Sequence, residues 1–362
     1  MDEFKRISPA QIGKFIPVPN KCANKYSRGT LAIIGGSASY PGAACLAACA
    51  AQRAGAGYTQ VWCAPESVSD VRAGHPSLVV RPWDGASMFD VLQKLCGRME
   101  QRNATLAQHH PSALLIGCGF SGLDASVCAG KGGNDVRAGA CEGGKDARVD
   151  AGESGSNDVR AGAVERGGVE TVSGKTSTTS EFDLLKRAIL LTMPLVVDGG
   201  AISFLAQFAQ EQGLDLLRRR AGAGLPLILT PHAGEAARLA HAANIPPCEN
   251  EELAEKLSSA YSATVVLKGP QTFIYGAGQG FLMDHGSAAL AKAGSGDVLA
   301  GIVAAFVAQG VSPVQACCLA TSLHAHAGNI AAKDYSSVSV IPEDLIAALP
   351  SAIKDYLALA QS

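Results

Sequence analysis

Five short apolar runs, each closing on glycine or a polar group, limit this chain to one class of fold. They are Leu31–Ile34 before Gly35-Gly36, Leu114–Ile116 before Gly117-Cys118-Gly119, Leu195–Val197 before Asp198, Leu227–Leu229 before Thr230-Pro231, and Thr264–Leu267 before Lys268-Gly269. Strands buried on both faces read as continuous apolar runs, whereas a strand with one wet face alternates. An alanine-rich helix, roughly Gly42 to Ala54, separates Leu31–Ile34 from the next strand, Tyr58–Cys63, which makes a βαβ unit. The expected fold is therefore α/β: three layers, a mostly parallel central sheet, and helices on both faces. Ligands of such sheets bind at the carboxyl ends of the strands, where the glycine and polar exits gather. A hairpin is expected from Phe273–Tyr275 and Gly280–Met283 around Gly276–Gly278. Scarce aromatics (5%) and 41 glycines suit close helix–sheet packing with many turns.

Ala293-Gly294-Ser295-Gly296-Asp297 runs straight into a helical pattern with apolar positions at Val298, Leu299, Ile302, Val303, Phe306 and Val307. The glycines thus sit at a helix N-terminus, where backbone N–H groups and the helix dipole favour an anion such as phosphate. Asp297 is either a first-turn cap or a carboxylate placed to take a proton from a hydroxyl while the anion hole holds a phosphoryl group.

Other polar exits carry a structural and a chemical meaning side by side. Lys268-Gly269-Pro270-Gln271-Thr272 is either an ordinary turn or a phosphate contact by charge and hydroxyl; it is not a Walker A loop. Thr230-Pro231-His232-Ala233-Gly234-Glu235 places His232 and Glu235 on one helical face, and as a lone pair they suit a cap. Asp198-Gly199-Gly200-Ala201 and Gly117–Gly119 read as turns when taken singly.

Residues 121–180 break the pattern. They are rich in Gly, Ser, Asp and Ala, and Asn134–Ala140 recurs as Asn157–Ala163, with a shorter copy at Asp70–Gly74. The segment reads as a low-complexity surface insertion. It interrupts one catalytic domain at 29–350, with an N-terminal lead-in at 1–28 and a C-terminal tail at 351–362. A net charge of −2 gives no reason to expect nucleic acid or an anionic membrane. No apolar run reaches membrane-spanning length, and Met1–Arg6 lacks the apolar core of a secretory signal. The eleven cysteines show no C-x-x-C pair or zinc-ligand spacing, so they read as small apolar fillers in a reducing, cytoplasmic compartment.

Taken together, the motifs resemble the ADP-dependent NAD(P)H-hydrate dehydratases of the ribokinase-like superfamily. The matching pieces are Gly29–Gly36, Pro41–Ala44, Arg53–Gly57, Ile116–Gly119, Val197–Ile202, Leu229–Glu235, Val266–Thr272 and Leu290–Gly301. The last is shared with several ribokinase-like kinases; the Thr-Pro-His-x-Gly-Glu motif is far more particular to the dehydratases.

The resemblance implies a ribokinase-like fold and dehydration of (S)-NAD(P)HX, the 6-hydroxylated cofactor, with ADP (or ATP) consumed as co-substrate and Mg²⁺ accompanying the nucleotide. It implies nucleotide contacts at Lys268, Gly269, Pro270, Gln271, Thr272 and Gly296, substrate contacts at Ala44, Gly119, His232 and Asp297, and Asp297 as the catalytic carboxylate. No protein metal ligand is assigned. A homo-oligomer is implied, as is a partner epimerase, which is expected on a separate chain because about 25 residues precede the match. The chain departs from the family at Gly200, where many relatives carry a second acid, and at Ala233, where proline is common. The alternatives are a kinase of a small vitamin-precursor alcohol and a silent nucleotide sensor.

Overall fold

Alternate residues of the central strands feed two different hydrophobic layers. Leu31, Ile33, Leu115, Val196, Ile228 and Val266 belong to one core cluster. Their neighbours Ala32, Ile34, Leu114, Ile116, Val197, Leu229 and Leu267 belong to the other. Apolar side chains on both faces require cover on both faces, which explains the unbroken apolar runs. A computed structural model describes residues 4–84, 88–93, 112–122 and 179–361. The insertion read at 121–180 lies outside the described residues except at its edges, and so do the repeats at 134–140 and 157–163.

The strands are β1 (Thr30–Ile34), β2 (Tyr58–Cys63), β3 (Val79–Pro82), β4 (Ser112–Ile116), β5 (Leu195–Val197), β6 (Leu227–Leu229), β7 (Thr264–Leu267), β8 (Thr272–Gly276) and β9 (Gln279–Met283). They form one sheet in the order 3-2-1-4-5-6-7-8-9. Pairing is parallel from β3 through β7 and antiparallel for β8 and β9. The chain reverses its direction of travel across the sheet between β1 and β4, which opens a crevice at their carboxyl ends. Register aligns Ile34 with Ile116, Ile116 with Val197, and Val197 with Leu229. The polar exits therefore stand side by side along one edge.

Besides a helical stretch at 88–93, the helices among the described residues are α1 (Pro9–Gly13), α2 (Pro41–Arg53), α3 (Val68–Gly74), α4 (Glu181–Ile189), α5 (Gly200–Gln212), α6 (Asp215–Gly222), α7 (Ala233–Ala242), α8 (Asn250–Tyr261), α9 (Ser295–Ala308), α10 (Pro313–Tyr335) and α11 (Pro342–Gln361). One layer contains α2, α9, α10 and α11; the other contains α4 through α8. The three-layer α/β/α arrangement is the one the strand pattern predicts. In the first layer α2 and α9 touch backbone to backbone. A Cβ on Gly301 would lie 2.1 Å from the Ala47 carbonyl oxygen, so glycine is required there.

Three details go beyond the sequence reading. The edge strand β3 is half exposed and ends at Pro82, so it lacks the apolar run that marks the others. The short repeat copy at Asp70–Gly74 is the body of α3. The segments read as lead-in and tail are packed parts of the body. Lys5 bridges to Phe281 and covers the free edge of β9. Ser8 caps α1 in a capping box with Gln11, and Ile12 is fully buried. The tail continues α11 through Pro350, with Ala352 and Tyr356 buried. The Tyr356 hydroxyl meets Ser322 Oγ at 2.7 Å on α10. Pro350 carries the stop signal of a helix end, but tertiary burial on both sides of it carries the helix through.

Replacing Tyr356 with Ala removes a buried ring and its hydroxyl contact. It is expected to lower unfolding free energy by about 3 kcal/mol, read as a lower urea midpoint at unchanged m-value.

Candidate active site

The β5 exit supplies the hub. Asp198 is buried (2% exposed), and its own N–H donates to the Ile116 carbonyl. Its Oδ1 accepts from Thr230 Oγ1 at 2.6 Å and from Lys268 Nζ at 2.8 Å, while Cys118 Sγ donates to Oδ2 at 3.8 Å. Four neighbouring strand exits are thereby tied to one carboxylate. The β4 exit can approach this closely because residue 117 is glycine: at φ +114°, a Cβ there would sit 2.0 Å from the Asp198 carbonyl oxygen. Burial works against the Lys268 ammonium, but Asp198 and Glu235 outweigh it and hold the charge above its ordinary range.

Opposite the hub stands the N-terminus of α9. Gly294 is its N-cap in the left-handed region, φ +91°, a conformation that favours glycine. The N–H groups of Gly296 and Asp297, in the first turn, have no carbonyl one turn earlier to bond. Ser295 Oγ meets the buried His324 Nε2 at 3.1 Å, and burial pushes His324 down to about 4, so the imidazole is neutral. A Cβ on Gly296 would lie 3.3 Å from Lys268 Nζ, which places this glycine against the ammonium. The Asp297 carboxylate, the Cys118 thiol and the Asp198 carboxylate have ligand atoms within 4.8 Å of one another. Burial first, then the Asp198 charge, raises Asp297 to about 6.

Thr230-Pro231-His232 leads from β6 into α7. His232 forms a parallel bridge with Lys268, whose N–H donates to the Pro231 carbonyl at 2.8 Å. His232 is the N-cap of α7: its Nδ1 accepts from the Gly234 and Glu235 N–H groups, and Glu235 Oε2 accepts from the His232 N–H at 2.9 Å. The capping arrangement read from the sequence is present, and it leaves the imidazole edge at the cleft. With Nδ1 an acceptor, the proton of the neutral ring is assigned to Nε2. Burial, then Lys268, lowers the His232 pKa. Burial raises Glu235 to about 7, against the pull of Lys268.

The floor of the crevice is built by two glycine loops. Gly36 N–H donates to the Cys118 carbonyl and Ser37 N–H to that of Gly119, at 2.8 and 3.0 Å. Gly119, at φ +73°, would strike the Tyr40 carbonyl with any Cβ, and Ala44, fully buried, packs its methyl on Gly36. The structure thus brings Lys268, Gly296, His232 and Asp297 to one place and puts Ala44 and Gly119 on the adjoining floor. Gly269, Pro270, Gln271 and Thr272 form the turn from β7 into β8, exposed at its first three residues. Lys268 is the member of that motif that reaches the buried carboxylates.

Sequence reasoning missed Cys118 and Thr230 as partners of Asp198, and Ser295 with His324. Only the Gly-Cys-Gly exit and the Thr-Pro dipeptide signalled the first two. Mg²⁺ prefers oxygen donors and usually takes one or two carboxylates alongside phosphate and water. Asp297 and the Oδ2 of Asp198 fit that demand.

A family model described as NAD(P)H-hydrate dehydratase matches residues 31–127 and 173–351, more than half of the chain. The chain is 30% identical over 342 residues to the ADP-dependent (S)-NAD(P)H-hydrate dehydratase of Xanthomonas campestris pv. campestris, covering 92% of this chain and 91% of that protein. It is 26% identical to the Bifunctional NAD(P)H-hydrate repair enzyme Nnr of Dictyoglomus turgidum, covering 94% of this chain but 54% of that protein, about half its length. A solved structure of the ADP/ATP-dependent NAD(P)H-hydrate dehydratase from Bacillus subtilis, co-crystallised with ATP/Mg²⁺, superimposes with a TM-score of 0.65 at 20% identity, over 98% of this chain and 100% of that one, and so shares the fold. The strand order, the carboxylate hub beside a glycine-capped helix, and these matches place the chain in the NAD(P)H-hydrate dehydratase family, with a ribokinase-like fold.

Proposed function

We propose that this protein removes water from (S)-NAD(P)HX to give NAD(P)H, using ADP as the phosphoryl donor and Asp297 as the base. The observation that carries this reading is the meeting of Asp297, Lys268 and the first turn of α9 around Asp198. Hydroxide is a poor leaving group from C6 of the nicotinamide ring, and phosphorylation makes it a good one. In the first step Asp297 takes the proton of the 6-hydroxyl as its oxygen attacks the terminal phosphorus of ADP. The bond from that phosphorus to the bridging oxygen breaks and AMP leaves. The ring nitrogen lone pair then expels phosphate from C6, and transfer of the C5 proton to the departing phosphate restores the ring double bond. The sum is NAD(P)HX plus ADP to NAD(P)H, AMP and phosphate.

The chain's own groups act by position and charge. The α9 N–H groups face the equatorial oxygens of the moving phosphoryl group. Lys268 pairs with nucleotide phosphate while Asp198, itself fixed by the Thr230 hydroxyl, holds its ammonium in place. Gly269–Thr272 borders the nucleotide, and His232, Ala44 and Gly119 border the nicotinamide half. Asp297 and Asp198 Oδ2 would hold an accompanying Mg²⁺ together with phosphate oxygens, and the ion would supply charge neutralisation. The relatives described as bifunctional repair enzymes support a partner epimerase that supplies the S form. A cytoplasmic homo-oligomer belongs to the same proposal.

The test is an assay of NADHX with ADP, following the return of reduced-nicotinamide absorbance. Turnover is expected, and its absence with both ADP and ATP overturns the reading. Asp297→Asn should lose at least about a thousandfold in kcat with nucleotide binding nearly intact; wild-type turnover in that variant removes Asp297 as base.

The base works ionised, so kcat should fall about tenfold per pH unit below about 6 and stop depending on this group above about 7. A profile flat from pH 5 to 8 would contradict the assignment.

Two stability changes of opposite sign test the electrostatics. Asp297 has a raised pKa in the folded state, so its ionisation disfavours the fold as pH rises from about 4 through 6. Asp297→Asn should stabilise the protein at neutral pH by about 2 kcal/mol. Lys268→Met strands the Asp198 charge and should destabilise it by about 3 kcal/mol, both measured by urea unfolding at pH 7.5.

A further inference from the structure

Behind the anion hole, one buried polar contact ties its first turn to the neighbouring helix. Gly294-Ser295-Gly296 opens α9, and Ser295 carries the only side chain of these three residues. A glycine on each side leaves the turn free to choose among backbone conformations. Packing by Leu46 and Pro342 holds Gly294 itself. Ser295 is buried and so points into the protein. Asp297 stands two residues on, about 200° around the helix. Whatever fixes Ser295 on the inner side therefore sets the direction of Asp297, and of the first-turn N–H groups, on the outer side.

His324, in the middle of α10, is what Ser295 meets. Its Nε2 lies 3.1 Å from Ser295 Oγ, and the ring is buried. Along α10 it is flanked one turn away by Ala320, Ala327 and Gly328, all buried. An imidazole among such neighbours is costly to bury unless it is bonded, and an apolar side chain would fill the space without that cost. Ser322 lies two residues before it, on the opposite side of α10, where its Oγ meets His285 and Tyr356. The His324 contact is thus separate from the one that holds α11. The ring is kept neutral by burial, so it brings no charge to a phosphate. It supplies a fixed direction.

We propose that His324 is a positioning residue for phosphoryl transfer: through Ser295 it holds the first turn of α9 so that the N–H groups of Gly296 and Asp297 converge on the terminal phosphate of the nucleotide. This role rests on the reaction proposed above. Buried behind the turn, His324 meets no reacting atom, and its effect passes through one serine. Donors aimed at a developing charge act only when they are already in place, and a shift of about 1 Å at such a site can cost about a hundredfold in rate. A turn built from two glycines needs an anchor of this kind, and Ser295 is the side chain that offers one.

The first measurement needs no turnover. Calorimetry compares ADP with AMP, each with Mg²⁺, on the wild-type chain, on His324→Ala and on Ser295→Ala. The two ligands differ by the phosphate that the turn would hold. In both variants ADP affinity should fall at least about fivefold while AMP affinity stays within about twofold; a merely structural role would move both together or neither. Steady-state assays of NADHX with ADP then separate kcat from KM. In each variant kcat should fall at least about tenfold, with the KM for NADHX within about twofold. The double variant should fall no further than the worse single one, because both break the same contact. His324→Gln, whose amide reaches as far as Nε2, should recover most of kcat. Ser295→Ala removes a single oxygen, so the comparison stands even where His324→Ala fails to fold. An unchanged ratio of ADP to AMP affinity in Ser295→Ala, wild-type kcat in His324→Ala, or multiplicative losses in the double variant overturns the positioning role. A wild-type chain that binds nucleotide without turnover overturns the reaction instead, and the ADP-against-AMP comparison still decides His324.

Discussion

The ion pair between Asp198 and Lys268, 2.8 Å apart and largely withdrawn from water, is the constraint on which the rest of the site depends. It joins the exits of β5 and β7 across β6, whose Thr230 contributes the third contact to the same carboxylate. A buried pair of this kind is weak as a source of net stability, because desolvation cancels much of the attraction. Its consequence is positional. With Asp198 fixed by three donors, Lys268 is held against Gly296, and Asp297 is forced to sit near a second carboxylate in a dry setting.

That crowding explains the perturbed acids. Asp297 and Glu235 are both raised, chiefly by burial and further by Asp198. Neither shift requires a special bond; both follow from placing three carboxylates around one ammonium at the mouth of a buried sheet. The outcome suits proton transfer. A carboxyl group near 6 is ionised at neutral pH yet far more basic than a solvated aspartate, and a hydroxyl proton passes to it more readily. The same argument accounts for the glycines. Gly117 lets the Asp198 backbone come close, and Gly294 turns the chain so that the first turn of α9 faces the carboxylates.

Much of the fold was legible because its strands are buried on both faces. Leu31–Ile34, Leu195–Val197 and Thr264–Leu267 need no periodicity analysis; their unbroken apolar character already implies a covered, parallel sheet. The hairpin was equally plain, since Ala277 and Gly278 both adopt positive φ, +50° and +72°, as a tight turn between antiparallel strands demands. Tertiary context hid the remainder. The tail packs through Tyr356 although Pro350 signals a stop, and the lead-in is ordered by pairing of Lys5 with the β9 edge, a contact between residues far apart in sequence. In the site, Lys268, His232, Gly296 and Asp297 stood out by motif. Cys118 did not, because a thiol between two glycines has no meaning until the neighbouring strands bring carboxylates to it.

The charge balance of the cleft also bears on what enters it. Lys268, with Arg238 acting on Glu235 from further out, faces Asp198, Asp297 and Glu235. A bare polyphosphate placed among these acids would raise Asp297 and Glu235 further and favour their protonated forms. A nucleotide that arrives with a divalent cation brings compensating charge and leaves Asp297 ionised. The N–H groups at the head of α9 then meet phosphate oxygens whose net charge is already reduced, and their partial charges suffice. Under the proposed function, the excess of acid over base around this anion hole would favour a cation-complexed nucleotide over a free one, by the same burial that raises Asp297.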